Sequence, residues 1–247
     1  MKVLIFGGHS PFAIEMANQL SEFNEVHCIT RKTSFKLISS LNNKVQIVEQ
    51  DLHQIASKGI EDAKFIDLLR NAHFVIFAHR YRGADEDIIQ SISTEVVGPY
   101  RLIKQSVESN DNLRGVFFFC SPAARRVVDD QGIAYHLGKA GVESLIRFLS
   151  VIYAKRHLAF IGLSIGSYVE KERSKQFYTE HPDLKEAITN TIPTGEFVKV
   201  SEICTLIKDL IECSNLRLLS GNILELDNRM ALLEFSSTVR SLVSNRK

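Results

Sequence analysis

Seven short apolar runs, separated by longer stretches of helical character, constrain this chain more than any other feature. They occupy residues 3–6, 26–29, 45–48, 74–77, 115–120, 159–163 and 223–226. Strand-length runs with almost no polar interruption belong in a sheet covered on both faces, and helical spacers between them make the crossovers parallel. The pattern predicts an α/β fold: a doubly wound parallel sheet of seven strands with helices on both faces. Ser10-Pro11 marks the start of the first helix, with an N-cap residue and then a proline where its missing N–H costs nothing. The two longest helices are expected at 86–109 and 133–156. No linker or repeat divides the 247 residues, so a single domain spanning 1–247 is expected.

Composition narrows the function. A formal net charge of +1 argues against a protein that binds nucleic acid by bulk electrostatics. No apolar run approaches the ~20 residues needed to cross a bilayer, and residues 1–6 are too short for a signal peptide before they meet a glycine turn. Cys28, Cys120, Cys204 and Cys213 are scattered, without C-x-x-C spacing, and read as reduced thiols in a cytoplasmic protein. The eight histidines show no metal-ligand spacing. No glycine-flanked serine elbow points to a hydrolase.

Between the first strand and first helix lies Phe6-Gly7-Gly8-His9-Ser10-Pro11-Phe12-Ala13. Such a turn lets backbone approach a pyrophosphate at a helix N-terminus, with Ser10 able to donate; read alone, Gly7-Gly8 is equally a tight turn. The second strand ends in Thr30-Arg31-Lys32, two cations where an acid would hold the ribose hydroxyls of an unphosphorylated dinucleotide. Arg31 and Lys32 suit a 2′-phosphate, or form a solvated basic turn. Asp51 either accepts from an adenine amino group or only caps the next turn. Further along, Tyr135 and Lys139 share one helical face, four residues apart, where an ammonium lowers the phenol pKa from about 10 and readies it for proton exchange. Tyr100 and Lys104 match the same spacing, so spacing alone does not choose.

With these residues together, the chain resembles the short-chain dehydrogenase/reductase family over nearly its whole length. The resemblance rests on the 7–13 turn, Asp51-Leu52, Ser121 at the end of the fifth strand, Tyr135-x-x-x-Lys139, the stretch 166–169 and Leu226-Asp227. Ser121 precedes Tyr135 by 14 positions, close to the family's usual gap, whereas no serine-tipped strand precedes Tyr100. The resemblance implies a Rossmann fold with catalytic Ser121, Tyr135 and Lys139. It implies a dinucleotide held by Gly7, Gly8, Ser10, Pro11, Phe12, Thr30, Arg31, Lys32, Asp51, Leu52, Ala78, His79 and Gly166 as well as Tyr135 and Lys139. Tyr135 would exchange a proton with the substrate oxygen, Ser121 would hydrogen-bond that oxygen, and Lys139 would hold the nicotinamide ribose. A homodimer or homotetramer is implied, joined through the two long helices and the last strand.

The departures are specific. Pro11 and Ala13 stand for the second and third loop glycines, Phe77-Ala78-His79-Arg80 for the family's Asn-Asn-Ala-Gly, and Ile165 for a proline. Glu95 stands for the helix asparagine that relays protons through water, and either holds that water or pairs with Lys139 and alters its pull on Tyr135. The expectation is an NADP(H)-dependent oxidoreductase, favouring NADP(H) over NAD(H), that interconverts a carbonyl and a secondary alcohol on a small molecule. The alternative is a catalytically weak dinucleotide-binding protein acting as a cofactor sensor or partner subunit. His79, Arg80 and Arg82, like Arg125 and Arg126, either meet a phosphate or carboxylate or belong to solvated loops. Asp129 and Asp130 read as a surface turn and His136 as filler. A substrate loop is expected at about 166–195 and a C-terminal helical extension at about 228–247.

Overall fold

A computed structural model of the chain describes residues 1–166, 169–170, 172–234 and 236, with side chains left out at 170 and 172–175. The apolar runs form strands β1 (Lys2–Phe6), β2 (Glu25–Thr30), β3 (Gln46–Glu49), β4 (Phe74–Phe77), β5 (Gly115–Cys120) and β6 (Ala159–Ile165). Two-residue strands β7 (Val169–Glu170) and β8 (Val198–Lys199) follow, then β9 (Ile223–Leu226). Seven of them pair in parallel in the order β3-β2-β1-β4-β5-β6-β9. The first strand begins one residue early, the second gains one at each end, the third run is shifted by one residue and the sixth continues to Ile165; the fourth, fifth and seventh stand where the apolar pattern puts them.

Side chains alternate across each strand. Val3, Ile5, Phe74, Ile76, Phe117, Phe119, Ile161 and Leu163 enter one core with α1 (Pro11–Leu20). Leu4, Phe6, Val75, Phe77, Val116, Phe118 and Phe160 enter a second core on the other face. Helices α3 (Leu52–Lys58) and α4 (Ala63–Arg70) pack there, and α2 (Phe35–Ser40) lies between β2 and β3 in the chain. Because both faces are covered, every residue of β4 and β5 is buried, which is why these runs carry no polar alternation. The order turns back at β1 and β4, and the carboxyl ends of these strands diverge there into a crevice.

The predicted helix at 86–109 is three pieces: α5 (Ile88–Ile92), a wide turn at Ser93–Val97, and α6 (Gly98–Ser109). Asp87 starts it by accepting from the Gln90 N–H at 3.1 Å. In the wide turn the Gly98 N–H reaches five residues back to the Ser93 carbonyl. Pro99 gives the reason: its ring would collide with the Glu95 carbonyl in a regular α-helix, and widening the turn relieves that collision. The second long helix, α7 (Ile133–Ile152), stops four residues before its predicted end and passes through a tight turn at Ala154–Arg156.

The expected loop at 166–195 is largely helical. It holds α8 (Glu172–Glu180) and α9 (Pro182–Thr189), with Pro182 at the first helical position, and the β7–β8 pair closes it. Tyr178, in the polar stretch, stacks on Phe197 at 5.0 Å. Helix α10 (Val200–Glu212) then covers the first core beside α1. Past β9, a short turn at Met230–Leu232 begins the predicted C-terminal extension, and its residues 237–247 lie outside the described residues. No helix among the described residues is long and apolar enough to cross a membrane.

Candidate active site

The glycine turn is shaped by its neighbours as much as by any ligand. Gly7 has φ +100, and a Cβ there would lie 2.7 Å from the His79 nitrogen, against the end of β4. A Cβ on Gly8 would meet Cys28 Sγ at 2.9 Å. The N–H groups of both glycines donate to the Ile29 carbonyl, at 3.1 and 3.2 Å, so these residues provide clearance rather than donors for an anion. Ser10 occupies the N-cap position of α1 as predicted, but its hydroxyl makes no cap bond and remains available. His9 had no predicted role; its ring nitrogen bonds the Lys32 carbonyl at 2.8 Å and ties the turn to the end of β2.

A cleft of about 480 Å³ opens over the carboxyl ends of β1 to β4. Gly7, Gly8, Ser10, Thr30, Arg31, Asp51, Leu52, Ala78 and His79, which the resemblance assigns to a dinucleotide, line it. The correction concerns Phe12, whose buried ring packs edge-on against Phe119 at 5.5 Å in the core. Pro11, Lys32, Gly166, Tyr135 and Lys139 are also not among the lining residues, nor is Ser121. Lys32 instead lends its charge to Glu49, whose carboxyl is held below the ordinary range first by its bond from Thr33. Asp51 does cap α3, accepting from the His53 N–H at 2.8 Å, and still borders the cleft. The residues present fit a dinucleotide: a side-chain-free approach, an unengaged hydroxyl at a helix N-terminus and a cation at the end of β2.

Lys139 is buried on α7 and donates to Glu95 at 2.9 Å and to the Phe119 carbonyl at 3.0 Å. The second bond anchors it to β5 two residues before Ser121. Glu95, carried inward by the wide turn, also accepts from the Tyr81 N–H at 2.5 Å. Burial pushes the Lys139 pKa down, but the charge and hydrogen bond of Glu95, with smaller contributions from neighbouring groups, together hold the ammonium above the ordinary lysine value. Burial likewise opposes ionisation of Glu95, and the charge and hydrogen bond of Lys139 together with the Tyr81 N–H override it, holding the carboxyl below the ordinary value. Both groups are therefore charged, and the pair is a true ion pair.

Tyr135 lies half-buried one helical turn before Lys139, whose Nζ is 5.9 Å from the ring centre. The Arg80 guanidinium covers the same ring at 4.0 Å and donates to Gln131. Ser121, buried at the tip of β5, accepts from the Ala123 N–H at 3.2 Å, which leaves its own proton to give. The turn that follows Ser121 packs on α7. His79 donates through Nε2 to the Thr94 carbonyl at 3.2 Å, leaving Nδ1 as a buried acceptor without a partner among the described residues. Burial pushes its pKa below the ordinary histidine value, so the ring is neutral.

Other candidates find structural work. Arg125 pairs with Glu143 at 2.9 Å and with Glu225, clasping the Ser121 turn to α7 and β9. Arg126 donates to the Ala231 carbonyl at 2.8 Å. His136 accepts from the Val128 N–H at 2.9 Å, organising the turn that holds Asp129 and Asp130. Tyr100 packs edge-on against Phe148 at 6.5 Å, while Lys104 is exposed. Among the described residues no group of acids, histidines and cysteines is placed to hold a metal ion. Besides His9, sequence reasoning missed Tyr81, Gln90 and Thr94 on the cleft wall; Pro99 was the visible signal that the helix carrying Thr94 and Glu95 is not regular.

No protein-family model matches the chain. An uncharacterized oxidoreductase from Thermotoga maritima is 25% identical over 239 residues, which cover 91% of this chain and 95% of that protein. A short chain dehydrogenase family protein from Francisella tularensis subsp. tularensis superposes with a TM-score of 0.69 at 15% identity, covering 94% of this chain and 99% of its own. A 3-oxoacyl-[acyl-carrier protein] reductase from Brucella melitensis, in complex with NAD, gives 0.75 at 13% identity, covering 95% and 98%. Neighbours of this fold include NADP and NADPH complexes as well. At these identities the likeness is one of fold: the chain has the short-chain dehydrogenase/reductase fold.

Proposed function

We propose that this protein is a short-chain dehydrogenase/reductase that interconverts a carbonyl and a secondary alcohol on a small molecule, with NADP(H) favoured over NAD(H). The observation that carries the reading is Lys139, buried beneath Tyr135 and tied by its ammonium to the β5 carbonyl two residues from Ser121. A nicotinamide cofactor, when bound, supplies or accepts the hydride. The residues that would hold it are Ser10 at the start of α1, the Gly7-Gly8 turn that clears its approach, Asp51 and Ala78 on the cleft wall, and Arg31 for a 2′-phosphate.

Tyr135 then gives its hydroxyl proton to the substrate oxygen in reduction and takes it back in oxidation. Ser121 donates a hydrogen bond to the same oxygen, since a developing alkoxide is stabilised by donors already in position. Lys139 presents positive charge under the phenol without itself reaching solvent. We read residues 1–247 as one nucleotide-binding domain, and the four unbridged cysteines fit a cytoplasmic protein.

The test is nicotinamide absorbance against a panel of carbonyls. Tyr135→Phe is expected to lower kcat/KM by about 10²–10⁴-fold, the usual range for general acid–base catalysis, with cofactor still bound. Turnover left intact in that variant would refute the assignment. Arg31→Ala should weaken NADPH more than NADH; equal losses would reject the 2′-phosphate role. A second reading, a dinucleotide-binding protein with little turnover, is favoured by the direct Glu95–Lys139 pair and by Arg80 lying over Tyr135. Tight cofactor binding with no turnover on any carbonyl would decide for it.

A further inference from the structure

The cations around this site differ in one respect. Lys139 is neutralised by Glu95, and Arg125 by Glu143 and Glu225. Arg80, like Arg31 and Arg82 on the same cleft wall, has no carboxylate partner among the described residues. Its guanidinium lies 4.0 Å over the Tyr135 ring and donates to the side-chain oxygen of Gln131, whose own amide donates to Asp130 at 3.0 Å. Stacking on a ring contributes on the order of 0.5–2 kcal/mol and leaves the in-plane N–H donors of a guanidinium free. An exposed arginine with open donors at the mouth of a cleft is a receptor for a planar or tetrahedral anion.

Arg80 lines the same cleft, but Ser10 at the glycine turn and Arg31 at the end of β2 are placed for the cofactor's own phosphates, whereas the Arg80 guanidinium lies over the phenol ring of Tyr135. We infer that Arg80 is the specificity-determining residue of this site, and that it selects substrates carrying a carboxylate or phosphate close to the reacting carbonyl. The inference rests on the oxidoreductase reading above for the word substrate, but the anion site stands on the Arg80 geometry alone. A bidentate contact to the anion would hold the carbonyl end against Tyr135, so that binding energy from the unreactive end orients the reactive one.

The experiment compares acetoacetate, acetonyl phosphate and the methyl ester of acetoacetate as substrates of the full chain with NADPH, in wild type, Arg80→Gln and Arg80→Lys. The expected result is an anion-over-ester preference in wild type that falls about 10–100-fold in Arg80→Gln and is only partly kept by Arg80→Lys, which retains the charge but not the fork. Acetoacetate and acetonyl phosphate separate the two anion chemistries. No preference for either anion in wild type, equal losses for anion and ester, or a loss of NADPH affinity as large as the loss for the anion would overturn the assignment. Calorimetric binding of the two anions to the protein without cofactor keeps the test independent of turnover. Binding lost in Arg80→Gln supports the site even if no carbonyl is reduced, which would count against the oxidoreductase reading alone; no binding by wild type overturns the site.

Discussion

A carboxylate 2% exposed and an ammonium 3% exposed face each other at 2.9 Å in Glu95 and Lys139. A buried pair of this kind is poor evidence for net stability, yet removing one partner leaves an uncompensated charge. Glu95→Gln is therefore expected to destabilise by about 3–5 kcal/mol, and the double variant Glu95→Gln with Lys139→Met should recover part of that loss in urea unfolding. The pH dependence follows from the shifts. Glu95 titrates lower folded than unfolded, so its contribution is present above its ordinary value of 4.5 and lost as acid protonates it. Lys139 titrates higher folded, so its contribution is present below 10.5 and lost as base removes its proton. His79 titrates lower folded, so the unfolded chain takes up a proton first as pH falls below 6.5. Melting temperature should hold between pH 7 and 9 and decline from about pH 6.5 downward; a flat profile to pH 5 would contradict the neutral His79. Glu95 and Lys139 are 44 positions apart; the resemblance left Glu95 either to hold a water or to pair with Lys139, and the fold selects the pair.

The elements differ in how openly the chain announces them. Buried parallel strands are apolar throughout because both faces meet protein, so β1, β4 and β5 were readable residue by residue. The break in the 88–109 helix was not, although Gly98-Pro99 contained the cause. A proline's clash with the carbonyl four residues back has several resolutions, a kink, a stop or a widened turn, and packing against α7 and α3 selects among them. Gly7 belongs to this scale because its turn joins two elements to a third. A Cβ there meets β4 backbone and its φ is unfavourable for L-residues, so Gly7→Ala is expected to cost about 1–3 kcal/mol and to weaken NADPH binding. Thermal melting with and without NADPH measures both; a variant equal to wild type in each would show that the turn has room to shift.

At the scale of the molecule, α7 presents Phe148, Val151 and Ile152 at 51%, 73% and 57% exposure, and Tyr100 of α6 leans on Phe148. An apolar strip of this kind at the end of a long helix suits contact with a second copy of the chain. Wild type is expected to sediment as a dimer or larger, and Val151→Lys to shift it toward monomer while leaving the melting of each subunit nearly as before. A wild-type monomer at tens of micromolar would contradict the expected assembly.

Sequence alone determined the sheet, its parallel sense and the glycine turn, because each depends on local pattern, period or chain reversal. Ser121, Tyr135 and Lys139 were singled out by family resemblance, since Tyr100 and Lys104 share the same helical spacing. Tertiary structure decided which charges meet. Arg125 turned out to be a clasp, Arg80 a cover over Tyr135, Phe12 a core residue and Glu95 the counter-ion of Lys139. These outcomes depend on distances between elements far apart in the chain, and a charged side chain carries no local mark of the partner that folding will bring to it.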